Sequence, residues 1–243
     1  MMLPPLSFNA WLRHDLIWHA LEGIDVSTVL EIGAGGGAMG ARLAHRYSYV
    51  GIETDLESYA LARNRIEETG LGRVLRGDLS ALEAGAEFDL VCAFEVLEHI
   101  EHDDLALKEW CERIRPGGWL LLSVPAYQRR FGPSDREAGH YRRYDPMEMP
   151  RLLGASGFVE PRMWLYGFPL GYPLEWARGV IARWKRGTAT MSDRTSASGR
   201  WLQPPEWFGG VTLLSTAPFR VLQRAFVDGP MGTGIVVRAR RRA

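Results

Sequence analysis

A glycine run placed directly behind a short apolar segment constrains this chain of 243 residues more than any other feature: Thr28-Val-Leu-Glu-Ile32 leads into Gly33-Ala-Gly-Gly-Gly37. The apolar segment reads as a buried strand, and the residues after the glycines have helix-forming composition. In the pattern Glu31-x-Gly33-x-Gly35-x-Gly37, bare backbone can approach a ligand closely. The helix that follows offers unpaired N–H groups to the ligand's polar atoms. A second strand, Tyr49 to Glu53, ends on a carboxylate, and a carboxylate there can accept both ribose hydroxyls of an adenosine.

The strand and helix rhythm continues along the chain. Helical spacing predicts a leading amphipathic helix over 9–22, with Asn9 as N-cap and Gly23 as its stop. Thr54 and Glu57 read as a capping box opening a helix that stops at Gly70. Arg73 to Arg76 and Phe88 to Phe94 read as strands, Leu105 to Ile114 as a helix ended by Pro116-Gly-Gly118, and Trp119 to Val124 as the next strand. Beyond Pro125 comes a long loop, then a helix opening at Asp145-Pro-Met-Glu148 with Asp145 as N-cap, which Pro150 would strain or shorten. Phe158 to Tyr166 and Gly234 to Arg240 read as the last strands. Alternating strands and helices with short connections define an α/β fold with a parallel sheet covered on both faces.

The neutral formal charge hides an asymmetry. Residues 1–125 carry 10 Lys+Arg against 20 Asp+Glu, and residues 126–243 carry 19 against 9. A basic half attracts a phosphate, a carboxylate, anionic lipid or nucleic acid, with a solvated surface as the plain alternative. Cys92 and Cys111 fall inside apolar patterns without metal-ligand spacing and read as core residues. The start of the chain lacks the pattern of a secretory signal, and no run of 18 apolar residues occurs, so a cytoplasmic location is expected.

The Glu-x-Gly-x-Gly-x-Gly loop, the acid closing the second strand and Gly77-Asp78-Leu79 after the third resemble the class I S-adenosylmethionine-dependent methyltransferases, over approximately residues 28–166. The resemblance implies a Rossmann-like, doubly wound, mostly parallel seven-stranded sheet with an antiparallel last strand. It also implies S-adenosylmethionine as cofactor, with no metal. Glu31, Gly33, Gly35 and Gly37 would then lie near the methionine end, Glu53 and Thr54 at the ribose, Asp78 and Leu79 at the adenine, and Phe94 beside the cofactor. Phe94-Glu-Val-Leu-Glu-His99-Ile100 is similar to the strand-four exit of quinone-biosynthesis methyltransferases. Gly139-His-Tyr-Arg-Arg-Tyr144 resembles the GHxRRY loop of a bacterial subgroup. The nearest competing reading, a nicotinamide dehydrogenase using Gly35-x-Gly37-x-x-Gly40, starts its glycines one turn late and has no evident hydride-transfer pair.

A single domain over 1–243 is expected: a leading helix (1–25), a cofactor core (26–125), an active-site loop and helix (126–157) and an aromatic insertion (167–232). An alcohol or phenol acceptor must lose a proton, which a carboxylate need not, so an oxygen acceptor calls for a base. His140 is the first candidate, with Tyr144 and His99 behind it, although a histidine at the position of His99 often serves a helix terminus. Tyr141, Arg142, Arg143, Trp164 and Tyr166 are candidates for binding a small, partly apolar and anionic acceptor. Against this stands a purely structural loop whose arginines pair with nearby acids. The insertion reads as an acceptor pocket, a core or a peripheral membrane contact, with Trp176 to Arg186 mixing bases and apolar residues as an interfacial helix does. Nucleic acid is disfavoured, since neither an Asn/Asp-Pro-Pro-aromatic pattern nor a Pro-Cys nucleophile is present. The oligomeric state is left open.

Overall fold

Continuous apolar runs, rather than alternating ones, mark strands buried on both faces, and the computed structural model places them in one seven-stranded sheet. It describes residues 3–67, 70–184 and 205–242. The strands are β1 (Thr28–Ile32), β2 (Ser48–Glu53), β3 (Gly72–Arg76), β4 (Phe88–Phe94), β5 (Ile114–Pro125), β6 (Phe158–Tyr166) and β7 (Gly234–Arg241). Their order is β3-β2-β1-β4-β5-β7-β6, and β7 is antiparallel to both of its neighbours. The helices are α1 (Phe8–Leu21), α2 (Ala38–Ala44), α3 (Leu56–Glu67), α4 (Asp103–Glu112), α5 (Pro133–Ala138), α6 (Met149–Ala155), α7 (Gly171–Trp184) and α8 (Gly209–Gln223).

Side chains of period two divide between two core layers. Leu30, Val91, Leu120 and Val237 meet Leu107 and Trp110 of α4 and Leu153 of α6 on one face. Val29, Leu90, Cys92 and Val236 meet Leu12 and Leu16 of α1, Leu43 of α2 and Ile66 of α3 on the other. Each of these aliphatic side chains contributes about 1.5–3 kcal/mol on burial. Both layers are anchored on β1 and β4, so the carboxyl ends of those strands are rigid. Strand order reverses between β1 and β4, and a crevice opens there in sheets of this kind.

Helix starts differ from the sequence expectations. Ser7 rather than Asn9 caps α1, its side chain accepting from the Ala10 N–H. Asp55 rather than Thr54 opens α3, accepting from the Ser58 N–H at 2.9 Å. α6 begins at Met149 instead of Asp145, which places Pro150 in the first turn, where its missing N–H costs nothing. The 114–125 strand absorbs Pro116-Gly-Gly118 through a register shift against β4 rather than starting after it. Cys92 is buried in β4 and Cys111 half-buried, and both are free thiols. Within the aromatic insertion, Lys185, Arg186 and Trp201 lie outside the described residues. Among the described residues no helix is long and apolar enough to cross a membrane.

Candidate active site

A cleft of about 410 Å³ opens over the ends of β1, β2 and β4. Its floor is the glycine loop. Gly33 and Gly37 have φ of +70° and +75°, and a Cβ on either would collide, with Val96 at 2.6 Å or with the Ala62 backbone of α3 at 2.7 Å. Gly35, at φ +53°, instead faces open space in the cleft. Two of these glycines therefore hold the loop down, and the third leaves backbone bare where a ligand would lie.

Glu53 ties the loop to the end of β2. One of its oxygens accepts from the Gly35 N–H at 2.7 Å and the other from the Asp55 N–H at 2.9 Å. Each oxygen keeps a lone-pair direction free for a hydroxyl donor. Beneath the loop Glu31 is 2% exposed and accepts from the Tyr49 hydroxyl at 2.6 Å. Burial, against the opposing hydrogen bond from Tyr49 and the charge of Arg13, pushes its carboxyl up to about 7.

The raised Glu31 has a consequence for stability. The folded state keeps a proton that the unfolded chain releases from its ordinary value of 4.5 upward. The associated stabilisation is therefore full below pH 4.5 and lost as pH climbs to about 7, a swing on the order of 3 kcal/mol. Thermal unfolding of the ligand-free protein between pH 5 and about 8 should show this decline, and Glu31→Gln should flatten it. An unchanged slope in the variant would remove Glu31 as its source.

The opposite wall comes from the strand-four exit and the loop after β5. Glu95 sits in left-handed backbone at φ 59°, an uncommon conformation for a residue with a side chain. The hydroxyls of Ser123 and Tyr166 donate to one of its oxygens at 2.9 and 3.0 Å, and Arg13 of α1 stands 3.8 Å away. His140 turns its Nδ1 to Asp135 at 3.0 Å. Asp135, which the sequence reading missed, also receives Nε and Nη2 of Arg143 at 2.8 Å each. Burial opposes its charge, but the hydrogen bonds from His140 and Arg143 prevail and bring its carboxyl down to about 2. Accepting at Nδ1, Asp135 sets the tautomer that leaves Nε2 of His140 as the basic nitrogen.

Behind His140 the donor atoms of Glu98, His99 and His140 lie within 4.8 Å of one another, close enough for a small cation or a shared proton to bridge them. Both Glu98 oxygens and Nδ1 of His99 are buried without a hydrogen-bond partner among the described residues. Burial, reinforced by Glu95, raises the Glu98 carboxyl, whereas burial and the neighbouring His140 lower His99 to about 4.

Of the residues expected at the site, Glu31, Gly33, Gly35, Glu53, Thr54, Phe94, His99, His140, Arg143 and Tyr166 line the cleft. The others do not. The Tyr144 hydroxyl bonds to Asp103 at 3.0 Å and to the Leu97 carbonyl at 3.2 Å, which fastens the loop and takes the residue out of the catalytic set. Arg142 pairs with Asp103 at 2.7 Å and with the Glu101 carbonyl, so it is no acceptor clamp. Arg143, although in the cleft wall, is neutralised by Asp135 and Glu175. Trp164 packs edge-on to His19, and Tyr141 is exposed outside the cleft. Asp78 caps its own turn through Ser80, and Leu79 packs on the core below.

Two cationic side chains reach the cleft from far along the chain, Arg13 from α1 and Arg178 from α7. Among the described residues Arg178 donates to the Leu174 carbonyl at 3.4 Å and faces the Asn9 amide, whose oxygen, once turned toward it, would accept at 2.8 and 2.9 Å, while Glu95 and Glu175 act on it through their charge. Burial lowers its pKa. No local pattern marks either arginine.

A doubly wound sheet with an antiparallel strand between β5 and β6, a glycine loop over a buried acid and a second acid at the end of β2 are the features that the resemblance to class I S-adenosylmethionine-dependent methyltransferases implied. Residues 30–122 accordingly match the family described as a methyltransferase domain. The chain is 37% identical over 104 residues to the mitochondrial ubiquinone biosynthesis O-methyltransferase of Candida albicans, covering 40% of this chain and 32% of that one. It is 30% identical over 118 residues to the ubiquinone biosynthesis O-methyltransferase of Leptothrix cholodnii, covering 46% and 50%. It thus spans half or less of the length of these two relatives. In fold it is similar to the N-methyltransferase NodS of Bradyrhizobium japonicum, solved with S-adenosyl-L-homocysteine, at a TM-score of 0.56 and 16% identity over 95% of this chain and 86% of that one.

Proposed function

We propose that this protein transfers a methyl group from S-adenosylmethionine to an oxygen of a small, partly apolar acceptor that carries an anionic group. The observation that carries the acceptor half is Arg178, a half-buried cation in the cleft wall whose hydrogen bonds among the described residues go to neutral groups, with the charges of Glu95 and Glu175 acting on it from farther off. A partly desolvated guanidinium without a direct ion pair keeps donor capacity that an anion on the acceptor would use. The cofactor half rests on the open Gly35 backbone and on Glu53, whose oxygens keep acceptor capacity toward the cleft. When bound, S-adenosylmethionine supplies an electrophilic methyl carbon. Glu31 would offer its carboxylate to the methionine ammonium, and Glu53 would hold the ribose. His140, fixed by Asp135, takes the proton from the acceptor hydroxyl and leaves the oxygen nucleophilic. Phe94 and Tyr166 wall the cleft and exclude water, which strengthens the interactions inside it.

The test is to incubate the protein with methyl-labelled cofactor and a metabolite extract. Label is expected in molecules retained by both an anion exchanger and an apolar matrix. Label confined to RNA, protein or uncharged metabolites would overturn the reading. With an acceptor in hand, Arg178→Met should raise its KM about tenfold to a hundredfold, the worth of one charge-assisted contact, and leave cofactor affinity unchanged. Equal KM values would remove the arginine from acceptor binding.

A further inference from the structure

Helix α8 is built inside out. Its buried residues are Thr212, Thr216 and Gln223, whereas Leu214 and Val221 are 74% and 67% exposed. The inward polar groups are all satisfied: Trp11 donates to Thr212 at 3.2 Å, Thr212 to the Leu6 carbonyl at 2.9 Å, Thr216 to the Thr212 carbonyl at 2.7 Å, and Gln223 to the Leu12 carbonyl at 2.6 Å. The helix is therefore seated in its proper orientation, and apart from Phe219, which packs on the core, its large apolar side chains are presented outward. Nearby elements share the pattern, with Trp176 and Trp184 of α7 at 73% and 86% exposure and Trp207 at 78%. Exposed apolar clusters of this kind mark docking surfaces, and tryptophan favours the boundary between hydrocarbon and water.

Charge identifies the occupant. α8 contains no acidic residue, and the one acid of α7, Glu175, is turned inward onto Arg130 and Arg143. Arg183 is exposed at the end of α7, and Arg224, just past the end of α8, is exposed while standing 3.7 Å from Asp15. Across residues 171–228, from the start of α7 to the turn after α8, the sequence holds 8 Lys+Arg and 4 Asp+Glu. Two copies meeting through this face would set like charges against each other, whereas an anionic lipid surface complements both the cations and the apolar side chains. We infer that the outer face of α7 and α8 docks the protein on an anionic bilayer. The inner face of α7 supplies Glu175 and Arg178 to the cleft. Docking therefore sets the acceptor wall beside lipid. The inference rests on the surface alone and holds whatever the acceptor proves to be.

Flotation of the full chain with vesicles tests it. The protein is expected to float with phosphatidylcholine vesicles that contain phosphatidylglycerol, more weakly with phosphatidylcholine alone, and less as salt screens the charges. The double variant Trp184→Glu/Leu214→Glu should lose about tenfold or more in vesicle affinity with no change in melting temperature. The milder Leu214→Ser/Val221→Ser pair serves if the glutamates impair folding. Protein that stays in solution with both vesicle types overturns the inference. So does a native dimer that the double variant converts to monomer, because the face would then belong to a second copy.

Discussion

Glu53→Ala should weaken S-adenosylmethionine binding by roughly 100-fold or more. Two charge-assisted hydrogen bonds to ribose hydroxyls are worth about 1.5–3 kcal/mol each. The substitution also strips the Gly35 and Asp55 N–H groups of their acceptor and loosens the loop that forms the cleft floor. Glu53→Gln keeps one neutral acceptor oxygen and should fall between the two. Calorimetric titration reads the affinity, and a thermal scan of the ligand-free variant shows how much of the loss is loosened loop. Unchanged affinity in the alanine variant would remove the ribose contact from the proposal. Asp78→Ala is the informative companion: its side chain is exposed and bonded to Ser80 outside the cleft. A loss comparable to that of Glu53 would show that the turn after β3 moves onto the adenine when cofactor binds.

Features governed by neighbours along the chain were legible in the sequence. The period of the apolar runs, the glycines and the acid at the end of β2 are local, and their physics does not depend on what packs above them. Caps were less legible, because Asn9, Thr54 and Asp145 are all competent caps and the path of the entering chain decides which residue is used. Ser7 and Asp55 won for that reason. The acceptor wall was hardest to read. Arg142, Arg143 and Tyr144 have the chemistry of ligand-binding residues, but folding places Asp103, Asp135 and Glu175 against them. Conversely, Arg13 and Arg178 look like ordinary surface cations within their helices, and only the docking of α1 and α7 over the sheet brings both to the cleft. Asp135 could have been suspected as a partner for His140 five residues later, but nothing in its spacing separates it from an exposed helix acid.

His140→Ala should lower turnover by about 10²- to 10⁴-fold, the usual worth of a positioned base, and leave cofactor affinity within about twofold. The geometry makes the histidine a better target than its partner. Asp135 and Glu175 share Arg143, so Asp135→Ala would strip Nε and Nη2 of Arg143 of their acceptor, cost about 1–3 kcal/mol of stability and blur any kinetic effect. His140 has no such burden. A second measurement separates a base from a bridge to a cation, since Nε2 also approaches Glu98 and His99. If His140 works as a base, the native enzyme keeps its rate in a strong chelator, and the alanine variant regains activity toward acceptors whose hydroxyl is already ionised at the assay pH. If the chelator abolishes native turnover and a divalent cation restores it, the histidine acts as a ligand and the acceptor oxygen is activated by the metal instead. Near-normal turnover of the alanine variant toward every acceptor excludes both roles and leaves the Asp135–His140 pair as a fastening of the loop.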